Sequence, residues 1–329
     1  MKSNIKNEIC EGICRESLSI EVSTHCNSAC SYCFARAEIS EDSSLPADVV
    51  KDIISEGFDL SYRHLHITGG EPFLWEGLFD ALEYAFTLGY KSVLINTNGT
   101  LLTRGVIKRL TCFDGLGLSI SLQGSQETHD RMRGKGSYAL AIKGIEHALE
   151  SGLNLLIFTT VGKTVLSELP HYAEKLFKTF PDIQHLSLIQ LIRVSNDVFD
   201  LSHELLEPED FLQLVQIVSL LNLCSLRTDI MNNPLAGVVS NILGMPWTIR
   251  SWPLYRPGGI FIMANRDISL SHTSRNPFGK YRCGMIQETI ASNMYRCAVS
   301  PDVSVCGLCP YVDLCRKNGM DRPSEWFRD

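Results

Sequence analysis

The 329-residue sequence has no apolar run approaching the roughly 18 to 20 residues that a membrane-spanning helix needs. Its first stretch, Met1 to Cys10, lacks the apolar segment of a secretory signal, so the chain is expected in the cytoplasm. An excess of basic residues is also missing. With 30 Lys and Arg against 37 Asp and Glu, the formal net charge is -7, which argues against nucleic acid or an anionic membrane as partner. No internal repeat or low-complexity segment is present. Two apparent phosphate-binding motifs are incomplete. Gly162-Lys163-Thr164 has Ile157 where a P-loop needs glycine, and Gly134-Lys135-Gly136 does not reach the third glycine of a dinucleotide loop. What the chain has in abundance is cysteine, 12 residues in all. In a reducing compartment such thiols read as metal ligands or reactive groups rather than disulfides.

From about residue 17 strand-like and helix-like segments alternate. Strands are predicted at Leu18 to Ser23, Arg63 to Thr68, Lys91 to Thr97, Leu116 to Leu122, Leu153 to Val161 and His185 to Ile192. Helices are predicted at Pro46 to Phe58 with Ser44 as cap, Gly77 to Leu88, Thr103 to Leu110, around Tyr138 to Leu149, Leu169 to Phe180, and Glu209 to Cys224. Six βα repeats imply a parallel sheet with crossover helices, and six strands are too few to close an eight-stranded barrel. The expected fold class is therefore α/β, a partial (β/α)6 TIM-like barrel with a small C-terminal cysteine-rich module. The expected division is an arm over 1–16, the barrel and its following helix over 17–224, and the module over 225–329. That last region holds most of the 13 prolines and only two short strand candidates, Gly259 to Met263 and Ile268 to Ser271. So little apolar pattern suggests a module stapled by metal.

The decisive segment follows the first strand: Thr24-His25-Cys26-Asn27-Ser28-Ala29-Cys30-Ser31-Tyr32-Cys33. Three cysteines spaced C-x3-C-x2-C on one loop can wrap a cubic iron–sulfur cluster, each thiolate taking one iron and leaving one iron open. Seen alone, the same thiols also suit a structural zinc ion or no ligand. A loop after a strand lies at the C-terminal face of a parallel barrel, where such folds keep their active sites. Thr68-Gly69-Gly70-Glu71-Pro72 follows the second strand and Thr97-Asn98-Gly99-Thr100 the third. Ser119-Ile120-Ser121-Leu122 lies in the fourth, with His129-Asp130-Arg131-Met132-Arg133 beyond it.

Taken together, these segments resemble the radical S-adenosylmethionine (SAM) superfamily over about residues 17 to 195. The resemblance implies a [4Fe–4S] cluster held by Cys26, Cys30 and Cys33, whose open iron chelates SAM. It also implies reductive cleavage of SAM to a 5′-deoxyadenosyl radical that abstracts hydrogen from substrate. Tyr32 would lie along the adenine; Gly69, Gly70 and Glu71 would line the methionine end, the carboxylate suiting an ammonium. Asn98 is a further candidate cofactor contact, Ser121 a candidate ribose contact and Arg133 a candidate partner of the SAM carboxylate. Many relatives read S-x-D-G where this chain has Ser121-Leu122-Gln123-Gly124, which leaves the role of that aspartate without an obvious heir.

Cys306, Cys309 and Cys315, joined by Cys283 or Cys297, resemble the SPASM or twitch modules that follow many such barrels and bind a second [4Fe–4S] cluster. The spacing alone equally suits structural zinc. Gly319 stands where a further ligand would come and His272 where a strand-end cysteine is common, so one auxiliary cluster is expected rather than two. Cys10 and Cys14 read as free thiols and Cys112 as packing. Cys224 reads as a core cysteine, or as a hydrogen donor to a substrate radical. His64 and His66 alternate on one strand and can share a face.

The layout resembles enzymes acting on ribosomal peptides, by crosslinking or epimerisation, and others acting on small molecules such as haem-like or molybdenum-cofactor precursors. About 17 residues precede the first strand, too few for a winged-helix leader-binding domain, so a peptide is expected to meet the barrel itself or a separate carrier. The implied partners are an electron donor such as flavodoxin or ferredoxin and a peptide or small-molecule substrate. A reading from another class is a non-catalytic iron–sulfur or zinc-binding protein.

Overall fold

The computed structural model of the chain describes residues 17–33, 43–192, 200–231, 233–245, 248–250, 258–271 and 276–299. Along the chain it runs β1 (Ser17–Glu21), α1 (Ala47–Asp59), β2 (His64–Thr68), α2 (Leu78–Leu88), β3 (Ser92–Thr97), α3 (Arg104–Leu110) and β4 (Leu116–Ser121). Two helices follow β4, α4 (Gln126–Arg133) and α5 (Ser137–Glu150), before β5 (Asn154–Val161), α6 (Lys163–Thr179) and β6 (His185–Gln190). Next come α7 (Pro208–Leu223), β7 (Thr228–Met231), α8 (Pro234–Ile242) and β8 (Ile249–Arg250). The chain continues with β9 (Ile260–Ile262), β10 (Asp267–Ser269), β11 (Gly279–Lys280), α9 (Met285–Ala291) and α10 (Asn293–Val299).

All eleven strands form one sheet in the order β11-β10-β9-β1-β2-β3-β4-β5-β6-β7-β8, with β1 to β8 joined by parallel pairs and β8 left unpaired with β9. The architecture is an open, TIM-like partial barrel, as the alternation of segments predicts. One face of each strand is greasy and covered by helices: Leu18 and Ile20, Leu65 and Ile67, Val93 and Ile95, Leu118 and Ile120, Leu155 and Ile157 all lie in the main core cluster. The alternate residues face the barrel interior and are polar to an unusual degree for such a fold. His66 Nδ1 meets Ser19 Oγ at 3.2 Å, His64 Nδ1 meets Ser92 Oγ at 2.7 Å, and His185 Nε2 meets Asp229 Oδ2 at 2.6 Å.

Four expectations need revision. The six strands are extended by β7 and β8, too short to show a period in the sequence. Ser44 does not cap α1, whose N-cap is Pro46 without a side-chain bond; Ser44 instead forms a β-bridge with Ser23. Helix α6 starts at Lys163 with Pro170 inside it, because Glu204 reaches across to accept from Thr164 N at 2.8 Å and so caps the earlier turn. Finally, the described part of the C-terminal region shares the barrel's core. Strand β9 pairs in parallel with β1, Leu18 opposite Ile260 and Ile20 opposite Ile262, and Ile268, Leu270, Tyr281, Ile286 and Tyr295 join the same cluster.

A single carboxylate docks that C-terminal segment on α1. Glu56 accepts from Gly284 N at 3.0 Å, Ile286 N at 2.8 Å and Gln287 N at 3.1 Å, and from Tyr281 Oη at 3.1 Å. These are the orphan donors of the first turn of α9, satisfied from 230 residues away in the chain. Tyr62 donates to Gly258 O, and Tyr295 Oη both accepts from Gly258 N at 2.9 Å and donates to Gly259 O at 2.9 Å. Replacing Glu56 by alanine strands several backbone donors, and we expect a loss of about 2 to 4 kcal/mol of unfolding free energy. Glu56→Gln, which keeps one acceptor oxygen, should fall between. Denaturant titration together with hydrogen exchange at residues 284–287 checks this; unchanged protection there in Glu56→Ala would mean the clamp does not hold the segment.

Candidate active site

The cysteine loop leaves β1 at the C-terminal edge of the sheet and is pinned by backbone bonds to its neighbours. Thr24 N donates to Ser43 O at 2.8 Å, Gly70 N to Ser23 O at 2.7 Å and Glu71 N to His25 O at 2.8 Å. The two glycines are demanded by this crossing. A Cβ on Gly69 would lie 2.5 Å from Ser23 O, and one on Gly70 2.2 Å from His25 O. Backbone therefore presses on backbone, which no side chain permits.

Glu71 sits behind that crossing, fully buried. Its Oε1 accepts from Thr97 Oγ1 at 2.8 Å and Phe73 N at 3.2 Å, and its Oε2 from Asn98 N at 2.8 Å. Burial pushes its pKa up, and these three donors, together with the Arg133 charge, oppose the rise. Three of this carboxylate's acceptor positions are thus engaged by its own loop and the loop after β3. Asn98, also buried, passes the connection on. Its Nδ2 donates to Asn27 Oδ1 at 2.7 Å, and Asn27 Nδ2 donates to Thr100 Oγ1 at 2.9 Å.

Helix α4 holds the loop from the other side. Ser31 N donates to Met132 O at 2.9 Å, and Arg133 Nη1 donates to Tyr32 Oη at 2.7 Å. Burial and the neighbouring cysteines raise the Tyr32 pKa against the pull of Arg133. Burial also opposes the Arg133 charge, but Tyr32, Cys30 and Cys26 favour it and its pKa rises overall. Helix α4 is itself braced by Glu168 of α6, which accepts from Ser125 N at 2.7 Å and Thr128 Oγ1 at 2.7 Å. Sequence reading missed α4 because QETHDRMR carries no apolar stripe; the N-cap Ser125, Glu127 in the first turn, Arg131 and Arg133 in the last, and Gly134 as C-cap were its local signals.

Gln123, at the aspartate position of many relatives, has a structural task here. Its Oε1 accepts from Thr160 N at 2.8 Å, and its backbone N donates to His129 Nδ1 at 3.1 Å, which leaves the His129 proton on Nε2. Ser121 ends β4 and is partly exposed at the same edge of the sheet.

Cys26, Cys30 and Cys33 form no disulfide, and each is partly buried. Burial raises the Cys26 pKa, Ser28 N opposes this at 3.4 Å from Sγ, and Glu71, Cys30 and Cys33 raise it further. A thiol held protonated in this way, as Cys26 is, is a poor nucleophile, and a bound cation would favour its ionised form. Among the described residues no three His, Cys, Asp or Glu side chains converge closely enough for a single ion. An iron–sulfur cluster takes each thiolate to a different iron, which suits three cysteines spaced along one loop. The donor set therefore fits the cluster.

Other candidates fall elsewhere. Cys224 is the exposed C-cap of α7, just before β7 begins, and so lies at the opposite end of the sheet from the cysteine loop. That position removes it as hydrogen donor to a radical formed there, and also as a core cysteine. Cys112 is exposed rather than packed. Cys283 and Cys297 are exposed, beside α9 and on α10. Cys10, Cys14, His272, Cys306, Cys309, Cys315 and Gly319 lie outside the described residues.

Residues 20–176 match the Radical SAM superfamily, and this stretch is a radical SAM domain. The chain is 32% identical over 136 residues to the mycofactocin maturase MftC of Mycolicibacterium smegmatis, which is 41% of this chain and 34% of that protein. It is 33% identical over 152 residues to the AdoMet-dependent heme synthase of Methanosarcina barkeri, 45% of this chain and 43% of that one. The match thus spans less than half the length of these relatives. In fold it is similar to anSMEcpe with bound AdoMet, with TM-score 0.72 and 18% identity over 91% of this chain and 88% of that one. SuiB of Streptococcus suis bound to S-adenosylmethionine gives TM-score 0.72 and 18% identity over 95% of this chain and 76% of that one.

Gly70→Ala should fail to hold iron or fold with a displaced cysteine loop, whereas Gly105→Ala in α3, whose Cβ would meet only Thr103 Oγ1 at 3.8 Å, should keep iron and fold at least as stably; iron content and thermal melting distinguish these. A second expectation concerns acid. Burial first and Arg133 second hold the His129 pKa down at about 3, while the unfolded chain titrates near 6.5. As pH falls below about 6.5 the unfolded chain takes up a proton that the folded one refuses, costing roughly 1.4 kcal/mol per pH unit. Denaturant midpoints between pH 7.5 and 5 should be less pH-dependent in His129→Gln; equal slopes would refute the assignment.

Proposed function

We propose that this chain, through its radical SAM domain, is an enzyme that cleaves SAM reductively and abstracts hydrogen from a substrate, most simply a ribosomally made peptide. The observation behind this reading is the placement of three thiols on one loop at the C-terminal edge of a parallel sheet, braced by the loops after β2 and β3 and by α4. A [4Fe–4S] cluster held there would supply the electron that cleaves the sulfonium of SAM. Cys26, Cys30 and Cys33 hold it, and the Gly69-Gly70 crossing sets their loop. Tyr32, with its hydroxyl tied to Arg133, offers a ring for the adenine, and Ser121 a hydroxyl for the ribose. The Arg133 cation, partly buried beside the thiols, favours an anionic ligand such as the SAM carboxylate.

Two observations support a peptide. The mycofactocin relative is named a maturase, and a SuiB structure similar to this one over 96% of the chain is bound to the precursor peptide SuiA. Likeness to a heme synthase keeps a small-molecule substrate as the second reading. A flavodoxin or ferredoxin is the proposed electron donor and the cytoplasm the proposed compartment; among the described residues no helix is long and apolar enough to cross a membrane. We assign 1–16 to an arm and 17–224 to the barrel, and within 225–329, whose β7 and β8 extend the barrel sheet, we place a module with a second [4Fe–4S] cluster. Its ligands are drawn from Cys283, Cys297, Cys306, Cys309 and Cys315.

Anaerobic reconstitution, reduction and incubation with SAM should yield 5′-deoxyadenosine by mass spectrometry, and Cys26→Ala should reduce it to background. Absence of the product from a cluster-replete wild-type chain would exclude radical chemistry. Deuterium transfer from a labelled peptide, but not from a labelled porphyrin precursor, into 5′-deoxyadenosine separates the two substrate readings.

A further inference from the structure

Three side chains from two loops close a ring of hydrogen bonds beside the first cluster ligand. Asn98 Nδ2 donates to Asn27 Oδ1 at 2.7 Å, Asn27 Nδ2 to Thr100 Oγ1 at 2.9 Å, and Thr100 Oγ1 back to Asn98 Oδ1 at 2.6 Å. Every member gives one bond and takes one in the same rotational sense, an arrangement in which each bond polarises the next. The ring also fixes both amides, because flipping either would set nitrogen against nitrogen and oxygen against oxygen.

Asn98 is saturated by this arrangement. Its oxygen also accepts from Thr100 N at 2.9 Å, its second amide hydrogen points to Ser28 Oγ at 3.5 Å, and its backbone N is held by Glu71. Its side chain is thus fully engaged within the protein. Asn98 is 4% exposed, so one corner of the ring is anchored in the core, while Asn27 stands in the exposed part of the loop directly after Cys26.

We propose that Asn27, Asn98 and Thr100 are positioning residues that hold the cysteine loop in its ligating shape before the cluster binds. The inference rests on the reading that Cys26, Cys30 and Cys33 hold the cluster. The ring transfers the rigidity of the buried Glu71–Thr97–Asn98 junction to the residue next to Cys26. Asn98 thereby acts on the site through the protein and not by touching SAM.

The test uses anaerobically purified, reconstituted wild type, Asn27→Ala, Thr100→Val and Thr100→Ser. Read out are the rate of iron loss to a chelator, the electron paramagnetic resonance spectrum of the reduced protein, SAM affinity and the melting temperature. Two lost ring bonds should accelerate iron loss about tenfold in Asn27→Ala and Thr100→Val, and broaden the reduced spectrum before SAM is added. Melting temperature should hold, and Thr100→Ser, which restores the hydroxyl, should behave as wild type. Iron loss within about twofold of wild type in both disruptive variants overturns the proposal, as does weakened SAM binding with unchanged iron loss. If wild type itself takes up no iron and sulfide, the underlying reading fails with it; a stable wild-type cluster unaffected by the variants sinks this inference alone.

Discussion

The site depends on one buried carboxylate. Glu71 has no contact with water, and an ionised group in that position is tolerable only if donors surround it. The donors come from Phe73 on its own loop and from Thr97 and Asn98 on the loop after β3. Its backbone N–H, meanwhile, reaches His25 on the cysteine loop. Three connections that share no sequence are thereby forced to one point. The glycines before it are a consequence of that convergence, since two backbones crossing at this distance leave no room for a Cβ.

The opposite wall is built on the same logic. Helix α4 has almost no greasy face and is held by polar contacts instead, Glu168 at its start and the cysteine loop at its end. Arg133 and Tyr32 close the junction, a cation and a phenol partly buried against each other beside the thiols. Satisfied networks of this kind specify one arrangement strongly, because any other leaves a buried group unpaired. The rigidity lies where three ligands must be kept in register.

Apolar burial does the remaining work and is indifferent to the chemistry. The helix-covered face of the sheet is a continuous Leu, Ile and Val layer, and β9 with β10 extends it past β1. The interior face is free of that duty and carries serines, histidines and an aspartate in its place. Glu56 repeats on α1 what Glu71 does at the site, drawing the first turn of α9 against the barrel.

How much of this the amino-acid order determines follows from the range of the interactions. Strand and helix alternation, the parallel sheet and the thiol spacing are local or periodic properties, and all were legible: Leu18, Ile20, Leu65 and Ile67 announce their face by alternation alone. The cysteines, glycines and Arg133 could be named as site residues for the same reason, each standing in a short motif. Their tasks could not. Whether Glu71 meets a ligand or a backbone, whether Asn98 contacts a cofactor or Asn27, and whether Cys224 lies near the site or at the far end of the sheet depend on contacts between distant segments. A carboxylate that caps a helix 230 residues away, as Glu56 does, leaves no period, spacing or composition behind it. Only the folded chain decides such pairings, because a polar group removed from water takes whichever partner the packing of the core brings within reach.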